Sequence, residues 1–180
     1  MLIDETKGAD AVLAYKSAVA SLQELDNADA RFVLTPSSPS EFLARVVKSH
    51  FKLPNLSADW MIEASGSADV LKKMKSAKQS DKSVYVMWEP QVSQAKQLPG
   101  VEVILDSSKI KGLIVDVLVA RREYLRDHPD KVRTVVEAYS RAAHHYRSQA
   151  GGFSKLVKSD DPSLSDAEAK SLVNGIQWKK

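Results

Sequence analysis

Cysteine is missing from all 180 residues. That absence excludes disulfides, thiolate metal sites and a cysteine nucleophile, and it is compatible with export without showing it. Long apolar runs are missing too: the strongest, near Ile114–Ala120, is broken by Asp116 and falls far short of a bilayer span. No large surplus of one charge exists. Lys and Arg number 26 against 23 Asp and Glu, a net charge of +3, and the pI is about 9.0. The excess is scattered, not gathered into the stripe a nucleic-acid binder carries, so no nucleic-acid partner is expected. Phosphate-loop, dinucleotide, zinc-protease and nucleophile-elbow signatures are absent, as are repeats and low-complexity tracts. Met1–Asp4 runs straight into polar residues, so no signal peptide is read within these residues.

What is present suits a packed α/β chain. Composition is 43% hydrophobic and 27% charged, enough for a core in one domain or two small lobes. The stretch Val84–Gln91, VYVMWEPQ, organises the rest. Its apolar run predicts a short strand buried on both faces of a parallel sheet. Pro90 can take the first position of a following helix, where its missing N–H costs nothing. Trp88 and Glu89 then stand at the carboxyl edge of a sheet, where open α/β folds hold ligands. Equally, Trp88 can be core and Glu89 a helix cap.

Arg31–Phe51 predicts a strand, a loop and a helix, with Ser38 and Glu41 spaced as a capping box around Pro39. The free N–H groups of that helix start, with Ser37, Ser38 and Ser40, could bind an anion, although a capping serine alone is commonplace. Gly8 predicts a tight turn. Trp60–Glu63 reads as a strand, and Ser65-Gly66-Ser67 leads into a helix with a lysine-rich solvated face. A two-turn helix is expected up to Leu98, then a strand over Val101–Leu105. Gly112–Ala120 reads as a buried strand, in which Asp116 must be paired, protonated or at a polar cleft, with Arg121 and Arg122 nearby. Pro129 opens a long helix with a buried stripe of Val132, Val135, Val136, Tyr139, Ala142, Ala143 and Tyr146. Gly151-Gly152 is expected to end that region. Ser165 and Glu168 form a second capping box, and Asn174-Gly175 stops that helix. His144 and His145 point about 100° apart on a helix and cannot share an ion well. No spacing singles out a catalytic pair, so neither enzyme activity nor a cofactor is expected.

The succession V-Y-V-M-W-E-P, P-G-V-E-V-I-L-D-S-S and G-L-I-V-D-V-L-V-A-R-R-E-Y-L-R-D-H-P-D-K-V, with T-K-G-A-D-A earlier, resembles the periplasmic solute-binding proteins of ABC importers. The branch is the one with nitrate, aliphatic-sulfonate, taurine and thiamine-pyrimidine binders, and the likeness runs from about Asp4 to Ser148. It implies a type II periplasmic-binding-protein fold: two α/β lobes that clamp a small polar or anionic solute without catalysis, working with an ABC permease, in the periplasm or otherwise outside the cytoplasm. Ser37, Ser38 and Ser40 would then bind the polar or anionic end of the ligand. Trp88 would wall it, Glu89 would accept a hydrogen bond, and Asp116 would lie near the cleft. Thr6 and Gly8 would sit by the first crossover. A carboxylate and an aromatic ring suit a neutral or cationic ring, whereas a helix start suits an anion; both stay open. A ligand-sensing effector domain of a larger membrane-linked or regulatory protein is the alternative.

The family's opening strands have no counterpart before Asp4, and the ending looks cut. The expectation is therefore a truncated piece: a complete second lobe over 9–98 and, over 99–180, a return segment of a partial first lobe. Strand Gly112–Ala120 and the helix Pro129–Arg147 would then expose an apolar patch and a strand edge, and the chain would self-associate there. The cysteine cluster of related pyrimidine-synthesising enzymes is absent, which counts against that activity.

Overall fold

The structure, a computed structural model, describes residues 1–179. Two sheets organise it. The larger has five strands in the order β4-β3-β5-β2-β6, formed by β2 (Asp10–Tyr15), β3 (Arg31–Leu34), β4 (Met61–Glu63), β5 (Ser83–Trp88) and β6 (Val101–Asp106). β3 pairs in parallel with β4 and β5, while β2 runs antiparallel to β5 and β6. The expected strand at Val84 is thus central and buried, but in a mixed sheet. Two-residue alternation divides its core cleanly. Val12, Phe32, Leu34, Val84 and Val86 pack on one face with Leu43 and Val47 of α1 (Pro39–His50). Leu13, Val33, Tyr85 and Met87 pack on the other with Val70 and Met74 of α2 (Ser67–Ser76) and Val92 of α3 (Gln91–Ala95). Both faces covered is what a run such as VYVM requires.

The second sheet has three antiparallel strands, β7-β1-β8, from β1 (Leu2–Thr6), β7 (Val115–Val117) and β8 (Ile176–Trp178). The helices α4 (Arg122–Asp127), α5 (Pro129–Arg147), α6 (Ala150–Asp160) and α7 (Asp166–Asn174) accompany it. Tyr139 of α5 donates to the Ile3 carbonyl at 3.2 Å, and Trp178 packs against Tyr139 and Phe153.

Several expectations fail at this end. The run Gly112–Ala120 is a strand only over Val115–Val117, and those residues are exposed. Of the stripe expected on α5 only Ala143 is buried, and Val135 is 54% exposed. Amphipathic spacing promised a partner surface that these residues do not meet. Gly151 and Gly152 lie inside α6 instead of ending the region, and the strand after Gly175 was not foreseen. The five-stranded sheet also runs past residue 98: β6 pairs along β2 from Tyr15↔Val101 to Ala11↔Asp106.

Candidate ligand cleft

Because β3, β4 and β5 run in parallel and each leads into a helix, the starts of α1, α2 and α3 share one edge of the large sheet. β2 runs the other way, so its first residue, Asp10, lies at that edge too, directly across from Trp88. The crossover from β1 to β2 passes here. Gly8 adopts φ +93°, as a tight turn requires, and its N–H donates to Ser107 Oγ at 2.8 Å. The Asp10 N–H donates to the same buried hydroxyl at 3.4 Å. The return crossover lies alongside, with the Thr6 N–H donating to the Ile114 carbonyl at 3.0 Å.

Each of the three helix starts is closed by a carboxylate of its own. At α1 the Ser38 hydroxyl accepts from the Ser40 N–H at 3.2 Å and donates to the Thr35 carbonyl. Glu41 reaches past Ser38 to accept from the Ser37 N–H at 2.7 Å and pairs with Arg45. The expected capping box is therefore displaced by one residue at both contacts. These partners hold the Glu41 carboxyl below the usual range, first the Ser37 N–H and then Arg45. Before α2, Asp69 accepts from the Ser65 N–H at 3.0 Å, which likewise lowers its pKa. At α3, Glu89 accepts from the Ser93 N–H at 3.0 Å and the Ser93 hydroxyl at 2.9 Å. Pro90 precedes that helix as its cap.

Glu89 is buried, and α7 reaches it: the Ser171 hydroxyl donates to Glu89 Oε1 at 2.8 Å. Beside this contact, the Gln94 amide donates to Glu168 at 2.6 Å. Ser165 and Glu168 complete the expected capping box of α7. The hydrogen bonds from Gln94 and Ser165 pull the Glu168 carboxyl down to about 2. Glu89 thus ties the large sheet to α7, and Trp88 beside it stays half-buried at the edge.

A second carboxylate group spans the crossovers. Asp4 of β1 faces Asp116 of β7 in register. Asp4 is pushed up to about 6, first by burial and then by Asp116. Asp10 is also pushed up to about 6, by burial and by the Asp116 charge, against a neighbouring Thr6 hydroxyl that favours the ionised form. The desolvation cost assigned to Asp116 from sequence therefore falls on Asp4 and Asp10, because Asp116 itself is exposed. Neither Arg121 nor Arg122 pairs with it among the described residues; the ion pairs here run from Lys179 to Glu5 and from Arg45 to Glu41.

Between α1 and the return crossover lies an open groove of about 410 Å³, lined among others by Ser37, Ser38, Arg45, Leu113, Ile114 and Val115. No family model and no curated protein matches the sequence. Solved structures do match. The periplasmic aliphatic sulphonate binding protein SsuA from Escherichia coli superposes with a TM-score of 0.73 at 17% identity, over 99% of this chain and 57% of that one. The alkanesulfonate-binding SsuA from Xanthomonas axonopodis pv. citri, bound to MOPS, gives 0.68 at 18% identity, over 98% and 60%. The Candida albicans CA3427 gene product, described as defining a new family with the generic periplasmic binding protein fold, gives 0.67 at 12%, over 99% and 56%. The chain has the periplasmic-binding-protein fold. It spans little more than half the length of each of these neighbours.

Within that periplasmic-binding-protein fold, the sequence-derived residues fall into three groups. Ser37 and Ser38 line the groove, and Ser40 lies buried behind them with its Oγ unpartnered. Thr6, Gly8 and Asp116 sit at the crossovers. Trp88 and Glu89 close β5, outside the groove lining, and the oxygens of Glu89 are already engaged. Sequence reasoning missed Asp4, Asp10, Ser107 and Ser171. Asp10 stands inside the T-K-G-A-D-A segment and could have been singled out there. Ser171 could not, because its role exists only where α7 meets α3.

Proposed function

We propose that this chain is the substrate-binding component, or a domain of one, of an ABC-type importer, and that it captures a small polar or anionic solute without catalysis. The observation that carries this reading is the shared sheet edge: three helix starts, two crossover segments and an open groove converge on one side of the fold. Ligands in open α/β folds bind at such an edge. Thr6, Gly8, Ser37, Ser38, Ser40, Trp88, Glu89 and Asp116 are the proposed site. Residues 9–98, extended through β6, would form one lobe and the remainder part of the other. An ABC permease is the proposed partner and an extracytoplasmic compartment the proposed location. Self-association through β7 and α5 is proposed as well, from the exposed Val115, Val117 and Val135.

A thermal-shift screen over sulfonates, nitrate, phosphate, pyrimidines, aromatic acids and amines tests the reading. A solute that binds the native state raises the melting temperature in step with its excess over Kd. A flat response across the panel, with turnover of any member instead, would replace the binding role by an enzymatic one. The second reading, a ligand-sensing effector domain, shares this response and separates from the first only by failing to dock on a permease.

A further inference from the structure

We propose that the outer face of α1 is a docking surface for an extended acidic segment of the permease that receives the solute, seated along Phe42, Arg45, Lys48 and Lys52. The proposal rests on the binding role argued above and adds the side from which the partner approaches and the charge it carries.

Two open cavities meet on this helix. The groove already described, about 410 Å³, reaches Phe42 and Arg45 from the α1 start. A second, of about 470 Å³, continues from Arg45 past Lys48, Ser49 and Lys52 to Pro54. Arg45 lines both, so the second cavity begins where the first ends. A protein that takes solute from the groove has to approach over this rim.

Spacing gathers the charge on one side. Phe42, Arg45, Lys48 and Ser49 follow each other at helical steps and share a face, and Lys52 follows in the turn beyond His50. The opposite face carries Leu43 and Val47 into the core. Phe42 is 45% exposed, and Arg45 and Lys52 are exposed beside it. Arg45 pairs with Glu41, the one acid in either lining among the described residues. Lys48 and Lys52 have no acid partner among the described residues. Lys48 lies instead over the buried Trp60 ring, its Nζ 4.8 Å from the centroid. That cation–π contact holds the ammonium in place, so less side-chain freedom is lost when an acid binds. Facing potentials of opposite sign then fix how the partners meet.

Shape chooses among anionic partners. With 12 residues α1 is about 18 Å long, the span of about five extended residues. A groove along that length takes in a strand-like chain, whereas a flat bilayer would meet only its rims.

The test uses the whole chain and a capped hexapeptide alternating glutamate and alanine, with its glutamine counterpart and phosphatidylglycerol vesicles as comparisons. Backbone amide shifts are followed by NMR at low salt. The glutamate peptide should shift residues 42–53, the glutamine peptide should not, and added salt should reverse the shifts. Lys48→Gln with Lys52→Gln should weaken peptide binding about fivefold through the loss of two exposed ion pairs. The charge-matched Lys72→Gln with Lys75→Gln on α2 should leave it unchanged. Equal weakening by the α2 pair, silence from the glutamate peptide at millimolar concentration, or tighter binding to vesicles than to peptide each overturns the docking surface. Solute-dependent melting shifts of the parent chain keep the two readings apart. A solute response without peptide binding overturns only the docking surface. Peptide binding without any solute response overturns the binding role and, with it, the permease as partner.

Discussion

Asp4 and Asp10 carry the clearest single-residue consequence. Both carboxyls titrate near 6 in the folded chain, above the ordinary 3.8. Between those values the folded state holds protons that the unfolded state has released, so stability rises as pH falls from about 7 to about 5. The combined gain should be on the order of 1–3 kcal/mol, read from urea midpoints at the two pH values. Asp10→Asn should raise stability at pH 7 and flatten that slope. Below 4.5 the sign reverses at Glu168, whose carboxyl is lowered to about 2 and whose hydrogen bonds are lost on protonation. A slope that is flat in the parent chain would remove the acid group from the account. Asp116, expected inside a buried strand, lies exposed on an edge strand opposite the buried Asp4.

Among the elements, α7 joins the two sheets, and its ends can be tested separately. Ser165→Ala removes the capping-box hydroxyl and should cost about 1 kcal/mol. At the other end a Cβ on Gly175 would stand 2.9 Å from Ala9 Cβ and 3.2 Å from the Ser171 carbonyl. Gly175→Ala should therefore destabilise by roughly 1–3 kcal/mol through overpacking against the crossover. Gly151→Ala is the contrast: it lies in α6 with open space around it, and the change should add about 0.5–1 kcal/mol. Thermal melts of the three variants should rank Gly151→Ala above the parent and Gly175→Ala lowest. The capping serines were legible as spacing, yet only that of α7 closed its box. At α1 the left-handed Ser37, φ 54°, turns the loop so that Glu41 reaches the Ser37 N–H and passes over the Ser38 N–H.

For the whole molecule, the three-stranded sheet leaves β7 as an open edge, with Val117 54% exposed and Val119 80% exposed. Such edges pair with other chains. Sedimentation at tens of micromolar should show a concentration-dependent dimer, and Val117→Lys should abolish it by placing charge on the edge. A monomer at every concentration, with the parent residue in place, would remove this edge as a contact. The buried five-stranded sheet makes a different prediction. Leu43→Ala empties a fully buried position between α1 and the sheet and should cost about 2–5 kcal/mol in denaturant unfolding.

The α/β class, the strands at Phe32 and Val84, the helices beginning at Pro39 and Pro129 and the turn at Gly8 were determined by the sequence. Each depends on local physics: apolar period, caps, and residues that tolerate a particular φ. Tertiary structure alone decided that β2 and β6 extend the sheet antiparallel, that β8 closes on β1, and that Glu89 is engaged by Ser171. It also decided that Asp4 and Asp116, from separate strands, face each other in register. Those features come from contacts between segments far apart in the chain, and no local pattern of residue types encodes which distant partner a strand edge or a carboxylate will find.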